Sequence, residues 1–220
     1  MIEGPGGWTL APEGAAVHQG ETTAVISDVH LGYEWARGRG GDLIPAHSLA
    51  ETLAKLEGLL ARTRIGRLVV AGDLVESALP CPRTARDARG LAAWLADRGV
   101  SLVALSGNHD PPRRPPLPPT LDVAGWTVGH GHRPIAGERV IFGHHHPALR
   151  GGGWNVPCFL AGPRAIALPA FSTNAAGADV CLWPLPEPWR GDSPRCFAAS
   201  GGVILDFGPL AALRDRLGRA

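Results

Sequence analysis

The chain has 220 residues, 45% of them hydrophobic and 19% charged, with a formal net charge of +1; these are the proportions of one globular domain spanning residues 1–220. Near-neutral charge removes the simplest electrostatic case for tight duplex binding, which needs a strongly basic face. No apolar run approaches the roughly 20 residues of a bilayer span, and residues 1–20 lack a basic start followed by an unbroken hydrophobic stretch, so a cytoplasmic protein without a membrane partner is expected.

After a start rich in glycine and proline, residues 22–27 form a β-branched and apolar run that reads as a buried strand, ending at Asp28-Val29-His30-Leu31-Gly32. Ser48-Leu49-Ala50-Glu51 has the form of a capping box, and Leu49, Leu53, Leu56 and Leu60 repeat at helical spacing, which predicts a helix of about four turns. Residues 67–71 are a second strand closed by Gly72-Asp73, and Thr84-x-x-Asp87 opens a second helix carrying Ala88, Leu91, Trp94 and Leu95. A third strand over residues 101–105 closes in Ser106-Gly107-Asn108-His109-Asp110. This is a βαβαβ, α/β layout with a parallel sheet. Open parallel sheets bind ligands beyond the carboxyl ends of their strands, so Asp28, His30, Asp73, Asn108 and His109 should meet in space.

Residues 111–120 are mostly proline and read as a stiff connector rather than a ligand for a proline-recognition domain. Arg113 and Arg114 within it, with Arg37 and Arg39, are the arginines to test for phosphate contact, against solvated surface charge as the bland reading. Short strands follow at 126–128, 139–142, 158–161, 165–168, 179–182 and 203–207, which predicts a second, mainly antiparallel sheet. Two of them end in Gly129-His130-Gly131-His132 and Gly143-His144-His145-His146-Pro147, and Gly151-Gly152-Gly153 reads as a hairpin tip. Residues 183–195, with Trp183 and Trp189, read as a surface loop before a closing helix over 210–217. The four cysteines, Cys81, Cys158, Cys181 and Cys196, are widely spaced with no Cys-x-x-Cys pair. They fit small buried hydrophobes in a reduced compartment rather than a zinc ribbon or a dithiol site.

Seven of the nine histidines fall into four short clusters at strand ends, each flanked by glycine. One Asp-x-His at a strand end is more often a turn with a satisfied histidine; four such clusters together, each near a carboxylate or another histidine, point to a metal site. Imidazole and carboxylate ligands without cysteine suit manganese, iron, nickel or zinc, and such a mixed shell around two ions hydrolyses phosphate esters. A metallo-β-lactamase-type site needs His-x-His-x-Asp-His in one run, and neither histidine-rich stretch supplies the aspartate.

The order Asp-x-His, Gly-Asp, Gly-Asn-His-Asp, Gly-His and Gly-His-x-His from Asp28 to His146 resembles the calcineurin-like metallophosphoesterases. That resemblance implies a β-sandwich of two mixed sheets flanked by helices, with a dinuclear metal site at the carboxyl ends of the strands. It implies one divalent ion on Asp28, His30, Asp73 and His146 and a second on Asp73, Asn108, His130 and His144, with His132 as an alternative to His130 and manganese first among the candidate metals. It implies attack by hydroxide shared between the ions, with His109 assisting the leaving oxygen and Asp110 orienting His109; His145, between two of these ligands in a strand-like segment, points the other way and reads as supporting the ligands from behind or as exposed. The alternative for Asp110 is a turn aspartate that only caps its loop.

The runs Asp28-Val29-His30-Leu31-Gly32-Tyr33-Glu34, Gly72-Asp73-Leu74-Val75, Pro157-Cys158-Phe159 and Leu168-Pro169-Ala170-Phe171 further resemble the small bacterial metallophosphoesterases associated with a DNA ligase and helicase, and their archaeal relatives. Those bacterial proteins often carry Cys-His-Glu/His-Pro where this chain has Gly129-His130-Gly131-His132, closer to the archaeal forms. The resemblance implies a phosphodiesterase of nucleotides or nucleic-acid ends, including 2′,3′-cyclic phosphates, with a ligase or helicase partner in DNA repair. A phosphomonoesterase and a non-catalytic scaffold on the same fold are the alternatives. The scaffold is opposed by the presence of every expected ligand.

Overall fold

The computed structural model describes residues 1–184 and 192–217; Trp189 of the proline-rich loop lies outside them. The first sheet takes its six strands in chain order: β1 (Ile2–Glu3), β2 (Trp8–Ala11), β3 (Ala15–His18), β4 (Thr23–Ile26), β5 (Arg67–Val70) and β6 (Ser101–Ala104). The parallel set β4, β5 and β6 is the predicted βαβαβ unit, with α1 (Tyr33–Gly38) and α2 (Ser48–Arg62) in the first crossover and α3 (Pro82–Ala96) in the second. The antiparallel strands β1 to β3 precede it. They had no sequence signal because runs of two to four residues between glycines and prolines show too little period to count.

The second sheet contains β7 (Thr120–Val123), β8 (Trp126–Gly129), β9 (Val140–Phe142), β10 (Pro147–Gly151), β11 (Trp154–Ala161), β12 (Ala165–Ala167), β13 (Ala178–Asp179), β14 (Arg195–Ser200) and β15 (Val203–Pro209). Its order is β13-β10-β11-β12-β9-β8-β7, with β14 beside β11 and β15 beside β14. Most pairings are antiparallel, as expected, but β9 runs parallel to both β8 and β12. That local parallelism sends the carboxyl ends of β8 and β9 to the same edge. The helix α4 (Leu210–Arg216) closes the chain, and no helix among the described residues is long and apolar enough to cross a membrane.

Side-chain alternation builds the layers. In β4 and β5, Ala24, Ile26, Leu68 and Val70 face α2 and α3, while Val25 and Val69 face the second sheet. In β9 and β12, Ile141 and Ile166 meet that middle layer, and Val140, Phe142, Ala165 and Ala167 form an outer core under α4. The result is helices, sheet, sheet, helix, with each fully buried Leu, Ile or Val contributing about 1.5–3 kcal/mol. Cys158, Cys181 and Cys196 are buried in the outer core, and Cys81 is half-buried.

Three local readings change. The helix α3 starts two residues before Thr84, because Pro82 fills its first turn, where a missing N–H costs nothing. The capping box at Ser48 does not form: Ser48 is already helical, and its hydroxyl accepts the Gly32 N–H and donates to Glu34 Oε1. The run 179–182 is mainly a turn after β13, because Asp179 caps it through the Cys181 N–H.

Candidate metal centre

Every residue singled out for metal chemistry stands just past the carboxyl end of a strand: Asp28 and His30 after β4, Asp73 after β5, Asn108 after β6, His130 after β8, His144 and His146 after β9. The backbone there is unusual. Seven non-glycine residues among those described have a left-handed φ, and five of them are Asp28 (56°), His30 (53°), Asp73 (52°), His144 (68°) and His146 (46°). Such conformations cost about 1–3 kcal/mol each and persist where surrounding structure imposes them. Here the imposition is visible: Asp28, Val29 and His30 donate their N–H groups to the carbonyls of Gly72 and Asp73, and Leu31 donates to Leu74, lacing the first loop to the second. The His144 N–H donates to Asp28 Oδ2 at 2.9 Å, lacing the last loop to the first.

Asp28 and Asp73 are 0% and 1% exposed. Two buried carboxylates demand positive charge. His146 Nε2 lies 2.9 Å and His30 Nε2 3.9 Å from Asp28 Oδ1, yet Asp28 Oδ1 and both ring nitrogens of His30 lack an aligned hydrogen bond. The donor atoms of these three side chains all lie within 4.8 Å of one another, the arrangement that a cation site needs. On the other side, His130 gives its Nδ1–H to the Ala71 carbonyl at 3.0 Å. Its Nε2 therefore turns a lone pair toward Asp73 Oδ2 at 3.1 Å and Asn108 Oδ1 at 3.0 Å. Three acceptor atoms meet there, and a second ring proton or a cation must join them.

The electrostatics agree. Burial by itself raises Asp28, but His146 and His130 outweigh it and hold the carboxyl below its usual range. Burial likewise works against Asp73, and His130 with the His109 N–H overcomes it, bringing the carboxyl to about 2. His130 moves the opposite way: burial lowers it, and Asp73 and Asp28 more than restore its proton.

Asp28, His30 and His146 form one cluster of donor atoms within 4.8 Å, and Asp28, Asp73 and His130 form another. The His144 ring stands 5.0 Å from that of His130, and the His132 ring 5.2 Å from it. His130 is buried between the two carboxylates, whereas His132 is half-buried with no aligned partner at Nδ1. His145 packs its ring on Trp183 at 4.6 Å; burial and His144 lower it to about 4.

His109 gives Nδ1–H to the Glu76 carbonyl at 2.7 Å, which leaves Nε2, 4.0 Å from Asp73 Oδ2, on a partly exposed edge. The Asp110 carboxylate accepts the N–H groups of Gly107, Asp73 and Val75, which ties the loop after β6 to the loop after β5 beside the His109 ring. Among the arginines, Arg37 pairs with Asp42 at 2.7 Å, Arg39 donates to the Pro80 carbonyl, and Arg113 and Arg114 are exposed in the loop beyond Asp110. The residue that sequence reasoning missed is Glu76, whose carboxylate lies 2.9 Å from His30 Nδ1. Its only signal was its position three residues after Asp73.

Residues 22–166 match the calcineurin-like phosphoesterase family. Over 127 residues the chain is 31% identical to the DNA double-strand break repair protein Mre11 of Archaeoglobus fulgidus, a match that takes in 53% of this chain and 26% of that protein. The chain thus spans about a quarter of that relative's length. The crystal structure of Pseudomonas putida nuclease MPE superposes with a TM-score of 0.67 over 91% of this chain and 94% of that one, at 22% identity, a likeness of fold.

Proposed function

The chain belongs to the calcineurin-like phosphoesterase family and is a metal-dependent phosphoester hydrolase, and from that premise we propose that it is a phosphodiesterase acting on nucleotides or nucleic-acid ends. The observation that carries the reading is the cluster of Asp28, His30, Asp73, His130 and His146 just past the carboxyl ends of strands from both sheets, all but His130 held in left-handed backbone. In this reading Asp28, His30, Asp73 and His146 hold one divalent ion, and Asp73, Asn108, His130 and His144 hold the second. Divalent ions bound there neutralise phosphate charge and lower the pKa of water at the site.

The protein's own groups do the rest. Asp28 and Asp73 stay ionised because the surrounding histidines favour their charge. His130 gives its Nδ1–H to the Ala71 carbonyl, which points Nε2 at Asp73 and Asn108, where an ion would be held. His109 cannot use Nδ1, which is committed to Glu76, so the ring serves as acid only as the imidazolium, giving its second proton to the leaving oxygen from Nε2 and returning to the Nδ1–H form. The diester and nucleic-acid preference is supported by the relatives, one a DNA break repair protein and one a nuclease by name.

The test is hydrolysis of bis-p-nitrophenyl phosphate beside p-nitrophenyl phosphate, on chelator-stripped protein refilled in turn with manganese, zinc, nickel and magnesium. Metal-dependent turnover preferring the diester, followed by cleavage of 2′,3′-cyclic nucleotides or nucleic-acid ends, is expected. Preference for the monoester overturns the diesterase reading, and folded protein inactive with every metal overturns catalysis.

A further inference from the structure

Glu76 faces two histidines of the site with two different atoms. Its carboxylate Oε2 lies 2.9 Å from His30 Nδ1, and its backbone carbonyl accepts the His109 Nδ1–H at 2.7 Å. The other nitrogens of the same rings look inward: His30 Nε2 is 3.9 Å from Asp28 Oδ1, and His109 Nε2 is 4.0 Å from Asp73 Oδ2. The two rings meet edge to face with centroids 5.1 Å apart. Glu76 itself is fixed, because its N–H donates to the Leu31 carbonyl and the neighbouring Val75 pairs with Leu31 and donates to Asp110.

We propose that Glu76 is a positioning residue that sets the tautomer of both rings, by its side chain at His30 and by its main chain at His109. A carboxylate only accepts, so His30 beside it carries the proton on Nδ1 and turns a bare Nε2 toward Asp28. Histidines that ligate metals depend on such a partner for orientation and basicity, and its loss weakens metal binding about 10–100-fold. The division of labour gives the proposal its test, since a side-chain substitution reaches His30 and leaves the contact to His109 in place. The proposal rests on the reading of His30 as a ligand, but its first readout needs neither metal nor turnover.

Glu76→Ala and Glu76→Gln would be compared with the parent protein. Long-range proton–nitrogen spectra of the metal-free proteins report the tautomer of each imidazole, and competition against a chromophoric chelator gives zinc and manganese affinity. In Glu76→Ala, His30 should leave the Nδ1–H form, His109 should keep it, and metal affinity should fall about 10–100-fold. Glu76→Gln, whose carbonyl oxygen still accepts, should restore the His30 tautomer and most of the affinity. An unchanged His30 tautomer in Glu76→Ala overturns the proposal. So does loss of a whole metal equivalent in both variants, which would make Glu76 a ligand. A parent protein that hydrolyses nothing but shows the tautomer change sinks the phosphodiesterase reading and leaves this one standing.

Discussion

His109 and Lys55 show how single contacts set chemistry that residue type leaves open. Because His109 has only Nε2 free to serve a leaving group, His109→Ala should retain metal while losing most hydrolysis of diesters with poor leaving groups. Bis-p-nitrophenyl phosphate, whose leaving group needs little protonation, should suffer less. Equal loss on both substrates would remove the acid role. Lys55 is the chain's single lysine; its amine donates to the Phe171 carbonyl at 2.7 Å and lies 4.1 Å over that ring. Burial lowers it from 10.5 to about 8, with Glu13 and Glu51 opposing. The folded state therefore sheds this proton near pH 8 and the unfolded chain near 10.5, so in that window the unfolded state binds more protons and stability rises with pH. The contribution is at most about 3 kcal/mol. Denaturant melts from pH 7.5 to 10.5 should show the parent gaining on Lys55→Met by up to that amount, and a constant difference would mean that the amine is effectively solvated.

At the scale of elements, strand ends are legible because glycine and polar clusters interrupt apolar runs, and four such interruptions flagged the metal centre. What the strands require of the glycines was not legible. A Cβ on Gly143 would stand 1.8 Å from Ser27 Oγ and 2.3 Å from Asp28 Oδ2, and one on Gly107 would stand 2.0 Å from Asp73 Oδ1. These glycines let the loops after β9 and β6 press onto the loops carrying the two carboxylates. Gly143→Ala should cost about 1–3 kcal/mol by overpacking and lower metal content as well. Gly151→Ala, with nothing within 4 Å of the added atom, is the control. Thermal melting with metal analysis separates the two, and a Gly143→Ala protein with parental metal content would show that the loops can part without loss of the site. The weak points of the sequence reading have the same origin. Ser48 looked like a cap, but its hydroxyl was claimed by Gly32 and Glu34, residues far along the chain that no local pattern reveals.

For the whole molecule, the buried carboxylates of β4 and β5 couple the two sheets: Asp28 binds the loop after β9, and Asp73 meets His130 after β8. Ions bound between them should therefore stabilise the entire sandwich. At a metal concentration a hundredfold above its dissociation constant the gain is about 2.7 kcal/mol, or about 5–10 °C in melting temperature for a chain of this size. Calorimetry before and after chelation, with manganese or zinc restored, should show that shift, and a melting temperature indifferent to chelator would argue against a structural coupling of this kind.

The sequence by itself determined the parallel βαβαβ core, the identity of the histidine and carboxylate clusters, and their location at strand ends, because hydrophobic period and glycine punctuation are local properties. It also carried the family resemblance, since the motif order lies along the chain. Only the tertiary structure decided that β9 lies parallel to β8 and β12, that Asp110 receives N–H groups from two loops, and that Glu76 stands against His30. Strand pairing, tautomer choice and carboxylate placement depend on contacts between residues tens of positions apart, and those are fixed only when the two sheets close on a shared core.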